Sequence, residues 1–159
     1  MSFCRYITIG GTSRPVDKRV FVLLPSFERG KEMKIEHIAF VVDDVDAVAD
    51  WYCKHLGLRI VRQGPPPVKM TFLGDDNGTM YEIYEQSSVE TPDYANINHL
   101  ILHFAYYSED IQADFQRLQD AGATVVLEPS QTDAGDTLAM LRDPWGVAVQ
   151  LVNRKEKMV

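Results

Sequence analysis

The sequence is poor in cysteine and in basic residues, and it has no long apolar run. Its two cysteines, Cys4 and Cys53, form no C-x-x-C spacing, so neither a disulfide framework nor a zinc knuckle is expected. No stretch approaches the ~20 apolar residues of a membrane-spanning helix, and the start lacks the roughly 7–15-residue apolar segment of a secretory signal. We therefore predict a cytoplasmic protein with no membrane partner.

Positive charge is scarce as well, because 16 Lys and Arg stand against 23 Asp and Glu in 159 residues, for a net charge of −7. Binding the nucleic-acid backbone requires Lys and Arg to displace counterions, so nucleic acid is not an expected partner. Hydrophobic residues make up 45% of the chain, which is enough for the core of one ordinary domain. Small molecules are the expected partners.

One phrase occurs twice in the sequence. Segment 37–44, HIAFVVDD, is echoed in register by segment 103–110, HFAYYSED, and a glycine follows each histidine by 20 and 19 positions, at Gly57 and Gly122. A duplicated unit predicts two equivalent halves that contribute the same kind of residue to a shared site. That residue is a histidine.

Each half shows the same order of strand and helix patterns. Asp44 and Gly57 suit the two ends of the first helix, which lies between them. The predicted strands and helices are a strand at 35–42, a helix at 45–56 and strands at 58–63, 68–74 and 79–85, then a strand at 97–107, a helix at 109–121 and strands at 123–128, 136–142 and 147–152.

The pattern predicts an α+β fold built from two βαβββ units. The domain is expected at 33–153, with units at 33–86 and 97–153, followed by a short tail at 154–159. Residues 1–32 lack the repeat, so they are interpreted as an N-terminal extension, with Met33 as a candidate natural start.

Strand parity decides which side chains share a face. In the first and last strands of each unit, one row of apolar side chains can pack on the helix. A polar residue is then left on the opposite face of each of these strands. Four residues occupy these matching places: His37, Glu82, His103 and Gln150.

At this point the chain resembles the vicinal oxygen chelate superfamily, which includes glyoxalase I, methylmalonyl-CoA epimerase, fosfomycin-resistance enzymes, extradiol dioxygenases and bleomycin-resistance proteins. The resemblance covers 33–153 and includes the phrase Asp143-Pro144-Trp145-Gly146. It implies a cupped mixed sheet with its helices on the convex side and a divalent metal on the concave face. The implied metal ligands are His37, Glu82, His103 and Gln150, a set that suits zinc, nickel, manganese or iron.

Gln150 departs from the family pattern, in which a glutamate usually serves as ligand and base. A neutral amide cannot accept and return a proton at neutral pH, so Glu82 is the candidate catalytic base. The leading interpretation is a glyoxalase-like metal-dependent lyase, isomerase or dioxygenase acting on a small oxygen-rich substrate. The alternative is a metal-free module of bleomycin-resistance type that binds or sequesters a small ligand.

Further residues are candidates for substrate contact. His99 could touch substrate at the rim or be an ordinary surface histidine, and Tyr84, Met140 and Trp145 could line an apolar pocket or belong to the core. The resemblance also implies a homodimer, with sites built either within one chain or across a two-fold axis.

Overall fold

The computed structural model describes residues 33–158, and the predicted N-terminal extension at 1–32 lies outside this range. The first unit consists of β1 (Ile38–Val41), α1 (Val45–Leu56), β2 (Arg59–Gln63), β3 (Met70–Gly74) and β4 (Met80–Tyr84). The second unit consists of β5 (Phe104–Tyr107), α2 (Ile111–Asp120), β6 (Thr124–Gln131), β7 (Thr137–Arg142) and β8 (Ala148–Asn153). The predicted pair of βαβββ units is confirmed.

Each unit folds into one four-stranded mixed sheet. The strand orders are β1-β4-β3-β2 and β5-β8-β7-β6, so the two sheets have the same topology and neither is closed. The first strand of each unit runs parallel to its last strand, and the other neighbours are antiparallel. The registers align Ala39 with Glu82 in the first sheet and Ala105 with Gln150 in the second.

Both helices begin at the aspartates of the repeated phrase. The Asp44 carboxylate accepts a hydrogen bond from the Ala47 N–H at 3.0 Å, and Asp110 accepts one from Ala113 N–H at 3.1 Å. These bonds satisfy amide groups that have no partner inside the helix. Gly57 ends α1 with φ of 73°, a left-handed conformation that glycine adopts without steric cost. Within residues 33–158 no helix has the length and apolar character to cross a membrane.

The two units share one hydrophobic core on their helix sides. The rings of Phe40 in β1 and Phe104 in β5 have centroids 5.2 Å apart, so the apolar rows of the two first strands touch. The indole N–H of Trp51 donates to the Ala121 carbonyl at 2.9 Å, which joins α1 to the end of α2. The predicted ligands lie on the other faces of the strands, away from this core.

The strands β1 and β5, which were predicted to contain the two histidines, are shorter than predicted. β1 begins at Ile38 rather than residue 35, and the predicted strand at 97–107 is wrong over 97–103, where the backbone forms turns. The Asn98 carbonyl and side chain accept from the N–H groups of Ile101 and Leu100 at 2.9 Å each. Such local bonds compete with strand pairing, and they were not apparent from the apolar pattern. His37 and His103 therefore each lie one residue before a strand.

Candidate functional site

The first pair of predicted ligands comes together at the open face of the first sheet. His37 Nε2 lies 3.2 Å from a carboxylate oxygen of Glu82, and the two side chains are 34% and 20% exposed. The register explains the approach, because Glu82 is paired with Ala39, two residues after the histidine. We call His37 and Glu82 the first half-site.

The His37 ring is held by two further neighbours. Its Nδ1 is hydrogen-bonded to the carboxylate of Glu36, and the edge of Phe72 packs against it with ring centroids 5.5 Å apart. The hydrogen bond to Glu36 raises the pKa of His37, with the charges of Glu36 and Glu82 adding to the effect and desolvation opposing it. A carboxylate on the far nitrogen of a histidine is a common way to orient a metal ligand. Glu36 was not predicted as a site residue, since an acidic residue before a strand ordinarily faces solvent.

The second pair occupies the equivalent place in the second unit. His103 Nδ1 lies 3.0 Å from the backbone carbonyl of His99. Because a carbonyl oxygen only accepts, Nδ1 is the donor in this hydrogen bond, which leaves Nε2 as the nitrogen that can bind a metal when the imidazole is neutral. Gln150 lies in β8 beside Ala105 of β5. We call His103 and Gln150 the second half-site.

The two predicted histidines are not grouped with a common carboxylate in the described part of the chain. Among residues 33–158, no three His, Cys, Asp or Glu side chains are grouped closely enough to hold a metal ion. His103 therefore does not join His37 and Glu82 in the same subunit.

The other predicted contact residues are scattered. Tyr84 is half-buried two residues after Glu82 and on the same face of β4, and Met140 is paired with Gln150 but only 2% exposed. Trp145 packs edge-on against Trp51 on the helix side, with ring centroids 6.4 Å apart, so it does not lie with either half-site. His99 lies in the turn before β5, where its backbone carbonyl accepts a hydrogen bond from His103.

Comparisons with known proteins identify the family to which the fold belongs. Residues 34–151 match the family described as the Glyoxalase/Bleomycin resistance protein/Dioxygenase superfamily. The match spans well over half of the sequence, and solved structures of the same fold accompany it. The chain belongs to this superfamily, which is the vicinal oxygen chelate group.

Particular relatives carry several functions. The chain is 26% identical over 129 residues to a probable lactoylglutathione lyase of Synechocystis sp., covering 79% of this chain and 98% of that protein. It also matches longer plant lactoylglutathione lyases, of which it spans less than half. A glyoxalase family protein from Bacillus cereus has a TM-score of 0.67 at 17% identity, covering 80% of this chain and 97% of that one. An antibiotic binding protein from Streptomyces sp. CB03234 has a TM-score of 0.59 at 21% identity, covering 77% and 96%. At these identities the two solved structures define the fold alone.

Proposed function

We propose that the protein is a divalent-metal-dependent enzyme of glyoxalase type that acts on a small oxygen-rich substrate. The observation that carries this proposal is the 3.2 Å approach of His37 Nε2 to Glu82 on an open face, with its counterpart at His103. Two imidazoles and one carboxylate form a donor set that suits zinc, nickel, manganese or iron(II) and leaves positions open for substrate. Relatives named as lactoylglutathione lyases support an enzyme rather than a structural module.

We further propose that two copies of the chain complete each site. The first half-site of one copy would face the second half-site of its two-fold partner, which gives two equivalent sites in a homodimer. Exposed apolar side chains lie next to both histidines: Ile35 is 82% exposed, and Leu100 and Ile101 are 72% and 78% exposed. Apolar residues at such positions favour a surface that a partner covers.

Each residue of the proposed site has a distinct chemical role. A bound divalent cation would supply Lewis-acid polarisation of a substrate oxygen. Glu82 is the carboxylate that can accept a proton from the substrate and return it, whereas the Gln150 amide can only orient substrate through hydrogen bonds. Glu36 fixes the ring of His37 through Nδ1, and the His99 carbonyl does the same for His103.

Metal binding is tested by thermal unfolding of chelator-treated protein with added zinc, nickel, manganese or iron(II). A cation that binds only the folded state must raise the unfolding temperature. We expect a rise with the wild type, a smaller rise with Glu82→Gln, and none with His37→Ala. His55→Gln is the matched control, because His55 lies at the end of α1 beside Trp51 and outside both half-sites. An equal rise in all four proteins would rule out the proposed ligands.

The reaction is tested on the metal-loaded protein by following lactoylglutathione formation, and by oxygen uptake with iron(II) and catechols. The first result would place the protein among the lyases and the second among the dioxygenases. Glu82→Gln should abolish whichever activity is found, because it removes the base. If Glu82→Gln loses activity but keeps its metal content, Glu82 acts as the base and is not required as a metal ligand.

A second candidate function is favoured by Gln150, which puts a neutral amide where the family usually has a carboxylate. In that case the protein would bind a small ligand without a metal, and one structural neighbour is described as an antibiotic binding protein. The absence of stabilisation by any of the four metals would support this second function. A cytoplasmic location remains our expectation in both cases.

A further inference from the structure

A cavity of about 640 Å³ lies on the helix side of the protein, at the seam between the two units. Its walls are the last turn of α1, the turn between β3 and β4, part of α2 and strand β5. The volume falls in the roughly 300–1,000 Å³ range of small-molecule sites. Tyr81 lines this cavity and points to the opposite face of β4 from its neighbour Glu82, so the cavity is separate from the half-sites. We call it the seam cavity.

The two units differ here in the hydrogen bonds made by a pair of equivalent aspartates. Asp75 and Asp143 are equivalent, because each follows the third strand of its unit and accepts from the N–H groups two and four residues later. In the second unit the Asp143 carboxylate also accepts the hydroxyl of Tyr52 at 2.8 Å. Tyr52 is fully buried, and its ring fills the space between α1 and Asp143.

The first unit has no such donor. Tyr52 stands eight residues after the helix cap Asp44, and the residue eight positions after the second cap, Asp110, is Leu118. Leucine carries no hydroxyl, and among the described residues every hydrogen bond to Asp75 comes from its own turn. Leu118 and Asp75 both line the seam cavity, which therefore occupies the region where a counterpart of the Tyr52 ring would lie.

The cavity contains a second polar group, the hydroxyl of Tyr106. The hydroxyl of Tyr106 is buried and makes no hydrogen bond within the described part of the chain. Tyr81 lies close enough to affect it without completing a bond, and burial raises the pKa of Tyr106 well above its ordinary value, so the hydroxyl stays protonated. Buried polar groups in folded proteins are nearly always satisfied, which makes an unpaired hydroxyl facing a cavity a candidate ligand contact.

Positive charge lies at the rim. Lys54 is exposed and makes no ion pair with any residue from 33 to 158. Arg117 is paired with the Asp114 carboxylate at 2.7 Å and also donates to the His55 carbonyl at 2.7 Å, so Lys54 is the less neutralised of the two cations. We propose that the seam cavity binds a small hydroxy acid or amino acid. The hydroxyl or ammonium group of this ligand is held by Asp75 and Tyr106, and the ligand carboxylate lies toward Lys54 and Arg117.

The test uses the full chain labelled with nitrogen-15, titrated with L-serine and with glycerate in metal-free and metal-loaded form. At least one probe should shift the amide signals of the cavity walls, equally in both forms. Tyr106→Phe should weaken binding at least about fivefold, because it removes one hydrogen bond. Leu118→Tyr should abolish binding, because it supplies the missing counterpart of Tyr52 and fills the cavity.

Tyr84→Phe is the matched control, since it removes a tyrosine hydroxyl from the opposite face of β4, and it should bind the probe as the wild type does. If Leu118→Tyr does not fold, Tyr106→Phe decides the question. No shift with either probe, unchanged affinity in Tyr106→Phe, or binding that requires metal would each overturn the proposal. Because the expected binding is independent of metal, its failure is distinct from failure of the proposed metal site.

Discussion

Replacing Asp143 by asparagine should change how the stability of the protein depends on pH. Asp143 is 3% exposed, and desolvation raises the pKa of its carboxyl from 3.8 to about 6, although hydrogen bonds from Tyr52, Trp145 and Val147 oppose the rise. The folded protein therefore holds the Asp143 proton more tightly than the unfolded chain does. Its contribution to stability is present below pH 3.8 and is lost as pH rises through about 6.

The magnitude follows from the two pKa values. Their difference corresponds to about 3 kcal/mol of unfolding free energy, of which about 2 kcal/mol is lost between about pH 4.5 and about pH 7.5. Asparagine does not ionise, keeps the shape of the side chain and can still accept from the turn N–H groups. The free energy of unfolding of Asp143→Asn, relative to the wild type, should thus rise by about 2 kcal/mol across that range.

The assay is urea denaturation of both proteins at several pH values, which removes the contributions of all other titrating groups by subtraction. Asp75→Asn is the matched control, because backbone hydrogen bonds from Thr79 and Asn77 outweigh desolvation there and lower the pKa of Asp75. Its stability relative to the wild type should fall, not rise, as pH increases through the acidic range. A difference for Asp143→Asn that stays constant with pH would refute the reasoning.

Four further substitutions test the helix cap, the core and the metal site. Asp44→Ala removes the cap on the Ala47 N–H and should lower the free energy of unfolding by about 1 kcal/mol in urea denaturation. Ile83→Ala empties a fully buried position and should lower it by about 2–5 kcal/mol; Val89→Ala, at a 53% exposed position, should change it by less than about 0.5 kcal/mol. Gln150→Glu adds a carboxylate and should tighten metal binding at least about tenfold by calorimetry, equivalent to about 1.4 kcal/mol; weaker binding would exclude Gln150 from the metal site.

Much of the fold was predictable from the sequence because its signals are local. Asp44 and Gly57 indicated the two ends of the first helix, and the apolar rows identified the faces that bury Phe40 and Phe104. The start of β5 was not predictable from apolar pattern, because the side chain of Asn98 stabilises a turn where Ile97 to Leu102 suggest a strand.

The site was predictable only within each unit. The approach of His37 to Glu82 was predictable from strand parity, because it depends only on the register between β1 and β4. Whether His103 joins them depends on how the units pack, and that is decided by long-range contacts such as Phe40 with Phe104 and Trp51 with Ala121. The role of Glu36 and the tautomer of His103 likewise depend on contacts that spacing alone does not define.

The central claim is a metal site shared between two chains, and mixed dimers of His37→Ala and His103→Ala test it most directly. Each variant alone should bind little metal, because every site lacks one imidazole. After the two are unfolded together and refolded, random pairing gives mixed dimers in about half of the molecules, each with one intact site, so about a quarter of the wild-type metal content should return. No recovery of metal in dimers shown to be mixed would contradict the shared site.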